Sequence, residues 1–321
     1  WSVMEFRRVL FRSAATGEGD GVVTITFTSG GDTIDAWHFV GSGDALSSPA
    51  GRPVVVMAHG VGGTKDSGLA AFATPLAAAG CDVLAFDYRG FGASGGTPRQ
   101  TVSVAGQVDD YRAAMDAARR LPGVDPGRLV LWGASLSGGH VFAAAAGRDD
   151  VAAMISLTPL VDGVAAGRHA LASHKPTEIL RSSVEGFRSK LGKARMMPVV
   201  ARPGELGCLT LEGSLEDYTA IAGPTWVNEL DATVGLELGN HRPGKLAKQV
   251  TCPTLVQIAD FDRSAPPQAA AKAAFNARAL VRHYPGDHFD VWEGKPFHAA
   301  TVQHQVDFLT RTFTTVAQPV A

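Results

Sequence analysis

Cysteine is scarce in this sequence. Cys81, Cys208 and Cys252 stand far apart, and no C-x-x-C spacing links any two of them. The usual cysteine zinc and dithiol patterns are thereby excluded, and buried free thiols are the expectation, in keeping with a reducing compartment. No run of about eighteen apolar residues occurs, so no membrane-spanning helix is expected. Positive charge is not in excess either: 29 Lys and Arg against 31 Asp and Glu leave a formal net charge of −2. Binding along a phosphate backbone needs a basic surplus, so nucleic acid is not an expected partner.

The N-terminal stretch WSVMEFRRVLFRS lacks both an initial methionine and the apolar core of a secretory signal. Residues 1–18 read as a non-native or disordered segment. A cytoplasmic location is the expectation, with secretion left open because the native N-terminus is not evident. The 321 residues suffice for one large α/β domain or two small ones, and a homodimer is compatible with that size.

From Val22 the pattern becomes regular. VVTITF and AWHFV alternate like hairpin strands around the turn-forming SGGD. PVVVMAH, CDVLAFD, RLVLWG, AAMISL and PTLVQIA are continuous apolar runs, the mark of strands buried on both faces of a parallel sheet. Helix-like segments separate them, and this alternation predicts an α/β fold with a mostly parallel, doubly wound sheet of about eight strands. The alternation breaks from Asp162 to Val250. KPTEILRSSVEGFRSKL and PTWVNELDATVGLEL look helical there, so residues 162–250 are expected to form an inserted helical cap, with 19–161 and 251–321 as the core.

In such sheets ligands gather beyond the carboxyl ends of the strands, so the segments that follow strands are the places to search. RLVLWG runs into Gly133-Ala134-Ser135-Leu136-Ser137 and then at once into a helix. That is the G-x-S-x-G arrangement, which lifts a serine hydroxyl above the sheet on a tight turn, with Ser137 where a second glycine usually stands. Ser135 is the candidate nucleophile, Ser137 a tolerated small residue, and a helix N-cap the bland alternative for Ser135.

A serine hydroxyl needs a base, and the base needs a carboxylate behind it. His288, in YPGDHFDVW, lies on a loop at the same sheet end. His59, His140, His283 and His298 are weaker candidates. After PTLVQIA the loop DFDRSAPP offers Asp260 and Asp262; Asp262 is preferred as lying clear of the strand, and Asp162 is the outside candidate. Backbone amides of Val61, in the glycine-rich AHGVGG, and of Leu136 are the candidate oxyanion donors. That loop carries neither G-x-x-x-x-G-K-[ST] nor G-x-G-x-x-G, which argues against a phosphate cradle.

HGVGG, DYRGFGASGG, GASLSGG, DFD and PGDHFD occur in an order that resembles the α/β-hydrolase superfamily from about Val22 to Phe313, among them bacterial serine hydrolases with a helical cap. The resemblance implies a Ser135, Asp262 and His288 triad, an oxyanion hole from Val61 and Leu136, and bracing roles for Asp87, Arg89 and Gly90. It implies hydrolysis of a small-molecule carboxylic ester through an acyl-enzyme, with no metal and no organic cofactor. Amidase or peptidase action, acyl transfer, and noncatalytic small-molecule binding are the alternatives. Trp226, Leu230 and Val234 fall at helical spacing and are expected either to line an acyl pocket with Phe91 or to glue the cap to the sheet. Trp292 is expected at a pocket wall or against the last helix.

Overall fold

The computed structural model describes residues 21–173 and 175–314, so the segment 1–18 set apart above lies outside the described residues. The chain opens with a hairpin, β1 (Val22–Ser29) and β2 (Asp32–Phe39). Gly30 and Gly31 turn it with φ of 58° and 94°, the left-handed pair that a two-residue hairpin loop demands.

The apolar runs then form β3 (Arg52–Ala58), β4 (Asp82–Phe86), β5 (Val124–Ala134), β6 (Ala153–Leu157), β9 (Thr254–Ala259) and β10 (Leu280–Tyr284). The eight-stranded order is β1-β2-β4-β3-β5-β6-β9-β10, antiparallel from β1 to β4 and parallel from there on. Crossover helices α1 (Ala70–Ala78), α2 (Val104–Ala118), α3 (Leu136–Ala145) and α8 (Pro267–Asn276), with the closing α9 (His298–Thr314), cover the sheet. The core sits on the central strands, where Val54 to Ala58 and Leu129 to Trp132 are wholly buried. Buried polar side chains dock α9: Trp132 Nε1 donates to Gln305 Oε1 (2.9 Å), and Gln305 Nε2 donates to Gln257 Oε1 (2.7 Å).

Between β6 and β9 come α4 (Gly163–Ser173), α5 (Pro176–Leu191), β7 (Met196–Met197), α6 (Ser214–Ile221), β8 (Leu230–Asp231), α7 (Val234–Asn240) and a 3₁₀ turn over Pro243–Gln249. This corrects one sequence expectation. PTWVNELDATVGLEL is not a single helix, because Trp226 lies in a turn, Leu230 in β8, and only Val234 onward is helical. Tertiary partners override the local pattern. The Asn228 amide accepts from Val200 N–H (2.9 Å) and donates to the Val200 carbonyl (3.0 Å), holding that segment extended, while Asp231 accepts from Ser189 Oγ and from Thr233 N–H.

Two carboxylates at the carboxyl end of the sheet hold the glycine-rich loop after β3. Lys65 Nζ lies 2.7 Å from both Asp35 and Asp87, and the Lys65 amide donates to Asp87 (2.6 Å). The ammonium and Asp87 are both buried. Burial pulls the Lys65 pKa down, but the two carboxylates outweigh it and hold the group above its ordinary value. Lys65→Met removes the cation and strands Asp87, so denaturant unfolding is expected to show a loss of roughly 3–5 kcal/mol. A loss within the range of an ordinary surface substitution would contradict this account of the loop.

Candidate active site

At the end of β5 the chain turns directly into α3 through Ser135, whose φ of 56° and ψ of −117° are sparsely populated for any side-chain-bearing residue. Such a conformation costs on the order of 1–3 kcal/mol and persists only where the surroundings enforce it. Ser135 N–H donates to the Leu157 carbonyl (2.9 Å), and its own carbonyl accepts from Leu160 N–H (2.9 Å). A Cβ on Gly133 would fall 2.2 Å from the Ser137 carbonyl oxygen, and one on Gly60 would fall 2.8 Å from Ser135 Cβ, so neither site admits a side chain without movement.

Ser137 does more than fill a small space, contrary to the expectation of mere tolerance. Its fully buried hydroxyl accepts from Ala134 N–H (2.8 Å) and donates to the Ala58 carbonyl on β3 (2.7 Å). The turn is thereby tied to the neighbouring strand. Ser135, by contrast, makes no side-chain cap bond to α3. The helix-cap reading fails, and its partly exposed hydroxyl points elsewhere.

That hydroxyl meets His288. Nε2 of the imidazole is 3.0 Å from Ser135 Oγ, and Nδ1 is 2.7 Å from Asp262 Oδ2. The other Asp262 oxygen accepts from Ser264 N–H (2.8 Å) and Ala265 N–H (2.6 Å), which aims the carboxylate. Burial pulls the His288 pKa down, but the charge and hydrogen bond of Asp262, with Asp287 nearby, outweigh it and hold it above the ordinary imidazole value. The other acids are occupied elsewhere: Asp260 pairs with His283 (2.7 Å), and Asp162 accepts from two amides at the start of α4 and pairs with Arg242.

The remaining histidines play other parts. His59 is buried and stacked on Trp292 at 4.9 Å, and desolvation pushes its pKa down to about 4, so it stays neutral beside His288. His140 is buried in α3 with Nε2 2.9 Å from Gln107 Oε1. His298 starts α9 edge-on to Phe72. The bracing residues are engaged as well: Arg89 pairs with Asp110, Asp87 accepts from Ala93 N–H (2.9 Å), and the Gly90 amide donates to the Gly95 carbonyl (2.7 Å).

Val61 follows Gly60, which abuts Ser135, and Leu136 is the first residue of α3, where an amide has no partner within its helix. Both candidate oxyanion donors therefore border the serine. The pocket residues fare differently. Phe91, Leu230 and Trp292 are at most 2% exposed, so they belong to packed layers and offer no surface to a ligand here. Trp292 packs between His59 and Phe72 instead of forming a wall. Trp226 is half-buried and stacks on Tyr218 at 5.3 Å.

Sequence reasoning missed Tyr218. Its buried hydroxyl donates to the Val61 carbonyl (2.9 Å), and its ring packs on Phe289, next to His288. SLEDYTAI carries no motif, and only the fold brings it to the loop. All three cysteines are free. Among the described residues no group of three His, Cys, Asp or Glu side chains is arranged to hold a metal ion, and no helix is long and apolar enough to cross a membrane.

Residues 49–190 match the family model described as serine aminopeptidase, S33. The quorum-quenching protein AidA of Acinetobacter baumannii is 34% identical over 267 residues, spanning 81% of this chain and 86% of that relative. The polyketide transferase GrgF of a Penicillium species is 32% identical over 137 residues, 42% of this chain and 44% of the relative. The crystal structure of the Penicillium α/β hydrolase GrgF superposes with a TM-score of 0.70 at 22% identity, covering 90% of this chain and 98% of that one. A hypothetical protein from Pseudomonas aeruginosa gives 0.76 at 19% identity, covering 94% and 100%. At these identities the two structures establish a shared fold.

The buried Ser137 hydroxyl carries a stability prediction. Ser137→Ala leaves the Ala134 amide without its acceptor and the Ala58 carbonyl without this donor, so unfolding free energy is expected to fall by roughly 1–3 kcal/mol. An unchanged midpoint in urea would show that the hydroxyl only fills space.

Proposed function

Because the chain belongs to the α/β-hydrolase superfamily, we propose that it cleaves carboxylic esters through an acyl-enzyme formed on Ser135. The observation that supports this reading is the hydrogen-bonded run from Ser135 Oγ to His288 Nε2 (3.0 Å) and from His288 Nδ1 to Asp262 (2.7 Å). With Nδ1 protonated and donating to Asp262, Nε2 presents a lone pair to the serine hydroxyl.

Ser135 Oγ attacks the ester carbonyl carbon while its proton passes to Nε2. The carbonyl oxygen becomes an oxyanion, which the Val61 and Leu136 amides stabilise; one such donor is worth about 3–4 kcal/mol. Collapse breaks the bond to the alcohol, which leaves with the proton from His288. Water then repeats the sequence on the acyl-serine and releases the acid. Asp262 holds the imidazole in this orientation and stabilises the imidazolium that forms. The neutral His59 adds no second positive charge to oppose it.

The family model described as serine aminopeptidase favours one second reading, cleavage of an amide by the same groups. Turnover of p-nitrophenyl butyrate against the p-nitroanilide of butyrate separates the two, and a faster anilide reverses their order.

A fluorophosphonate probe is expected to label the folded protein at Ser135, to leave Ser135→Ala unlabelled, and to label His288→Ala much more slowly. Labelling that survives Ser135→Ala overturns the assignment. The pH profile provides an independent check. The base must be neutral, and Asp262 shifts the imidazole upward, so kcat/KM is expected to fall about tenfold per pH unit below a midpoint above the ordinary imidazole value of 6.5. A midpoint below that value would contradict the pairing with Asp262.

A further inference from the structure

The inserted segment presents one face that its own packing leaves bare. On α5, Leu180, Val184, Phe187 and Leu191 follow one another at spacings of four, three and four residues, which at about 100° per residue gathers them into an arc of roughly 60°. In a surface helix such a stripe ordinarily faces the core. Here it faces outward, and the four residues are 64%, 37%, 55% and 85% exposed.

The opposite face holds the helix to the body, and it does so with small residues. Gly186 is buried so closely that a Cβ would fall 2.9 Å from the Ala232 carbonyl oxygen, and the buried Ser189 hydroxyl donates to Asp231 (2.9 Å). Turning α5 over to hide the stripe would break both contacts. The fold therefore fixes its outward aim.

Charge follows the same division. From Lys175 to Arg195 the sequence carries six cations and two carboxylates, a net of +4 in a chain whose formal net charge is −2. Lys175, Arg181, Arg188, Lys190, Lys193 and Arg195 are all exposed. Glu178 and Glu185 are half-buried and engaged, Glu178 with the Lys175 amide (3.2 Å) and Glu185 with Arg188 (2.9 Å) and Arg195 (3.2 Å). The cations stand beside the stripe: Val184, Phe187 and Leu191 line one open depression together with Arg188, Lys193 and Arg195.

Whatever covers this face must be apolar at the centre and anionic around it. A second copy of the chain does not fit, because a two-fold contact sets the same patch against itself and brings the cations of both helices together. A bilayer containing anionic phospholipid meets both demands: the region below the headgroups takes the apolar stripe while arginine and lysine reach the phosphates. With 16 residues α5 falls short of the roughly 20 apolar residues that a crossing needs, so it would lie in the surface. From these observations we infer that α5 docks the protein on anionic phospholipid membranes, with Leu180, Val184, Phe187 and Leu191 seated among the upper acyl chains. The inference does not rest on the ester-hydrolysis reading above.

The test is flotation of the full chain with vesicles of phosphatidylglycerol and phosphatidylcholine in equal parts, beside vesicles of phosphatidylcholine alone. Binding to the mixed vesicles is expected to exceed binding to the neutral ones by about tenfold or more, and to weaken as salt rises from about 0.1 M to about 0.5 M. Replacing Phe187 and Leu191 together by serine is expected to cut binding about tenfold or more, as is Lys190→Glu with Lys193→Glu, and Tm is expected to hold in both because all four residues are exposed. Phe275→Ser is the matched control, an 84% exposed phenylalanine on α8 outside the insertion, and its binding is expected to stay within about twofold. Absent binding to the anionic vesicles, equal binding to both lipids, or binding that survives both double variants overturns the inference. A dimer in sedimentation that the serine pair dissolves, with vesicles left unbound, overturns it too and assigns the face to a second copy.

Discussion

The arrangement around Ser135 depends on one backbone conformation. At φ 56° and ψ −117° the residue can be neither strand nor helix, and that forces β5 to end and α3 to begin within a single position. A continuous strand would bury the hydroxyl in the sheet, and a longer loop would leave it unplaced. The cost of the strained conformation is met by contacts that need the whole sheet. Leu157 and Leu160 grip the serine backbone from the β6 side, and Ser137 reaches Ala58 on β3 from the other. Three adjacent strand ends thus enforce one dihedral pair, and the hydroxyl has no freedom to fall back into a helix cap.

The same sheet ends set the rest of the hydrogen-bonded run. His288 and Asp262 arrive on loops after β10 and β9, so the parallel register of those two strands brings the imidazole and the carboxylate together. Asp262 cannot turn away, because one of its oxygens is held by the amides of Ser264 and Ala265 in its own loop. Asp260, two residues earlier, is drawn to His283 on the neighbouring strand. The two aspartates differ in what each loop position can reach, not in their chemistry.

This explains what was legible in the sequence. Runs such as PVVVMAH and RLVLWG carry their burial in their composition, so the parallel sheet can be read directly. The residues that meet at Ser135 are legible because they sit in short segments just after such strands. The inserted segment is different. Asn228 captures Val200 across 28 residues and turns an apparently amphipathic stretch into ribbon and turn, a long-range event that no local periodicity encodes. Phe91, Leu230 and Trp292 were ambiguous for a related reason: an apolar residue in a loop or on a cap stripe suits a pocket wall and a packed layer equally well, and only their near-total burial decides for packing.

Tyr218 shows how the insertion can bear on chemistry without touching the hydrogen-bonded run. Its hydroxyl holds the Val61 carbonyl, which fixes the peptide immediately after the Val61 amide and restricts how that amide can tilt. The tyrosine is itself held by stacking on Trp226 and by edge contact with Phe289, so the loop feels the packing of the insertion through one hydrogen bond. From below, Lys65 anchors the same loop to Asp35 and Asp87 at the sheet end. The loop is clamped between a buried charge cluster and an aromatic stack. Its glycines supply the conformational freedom to turn inward, and these two attachments remove that freedom once the turn is made. A preorganised amide at Val61 follows from that opposition, and it requires both the core and the insertion to be folded.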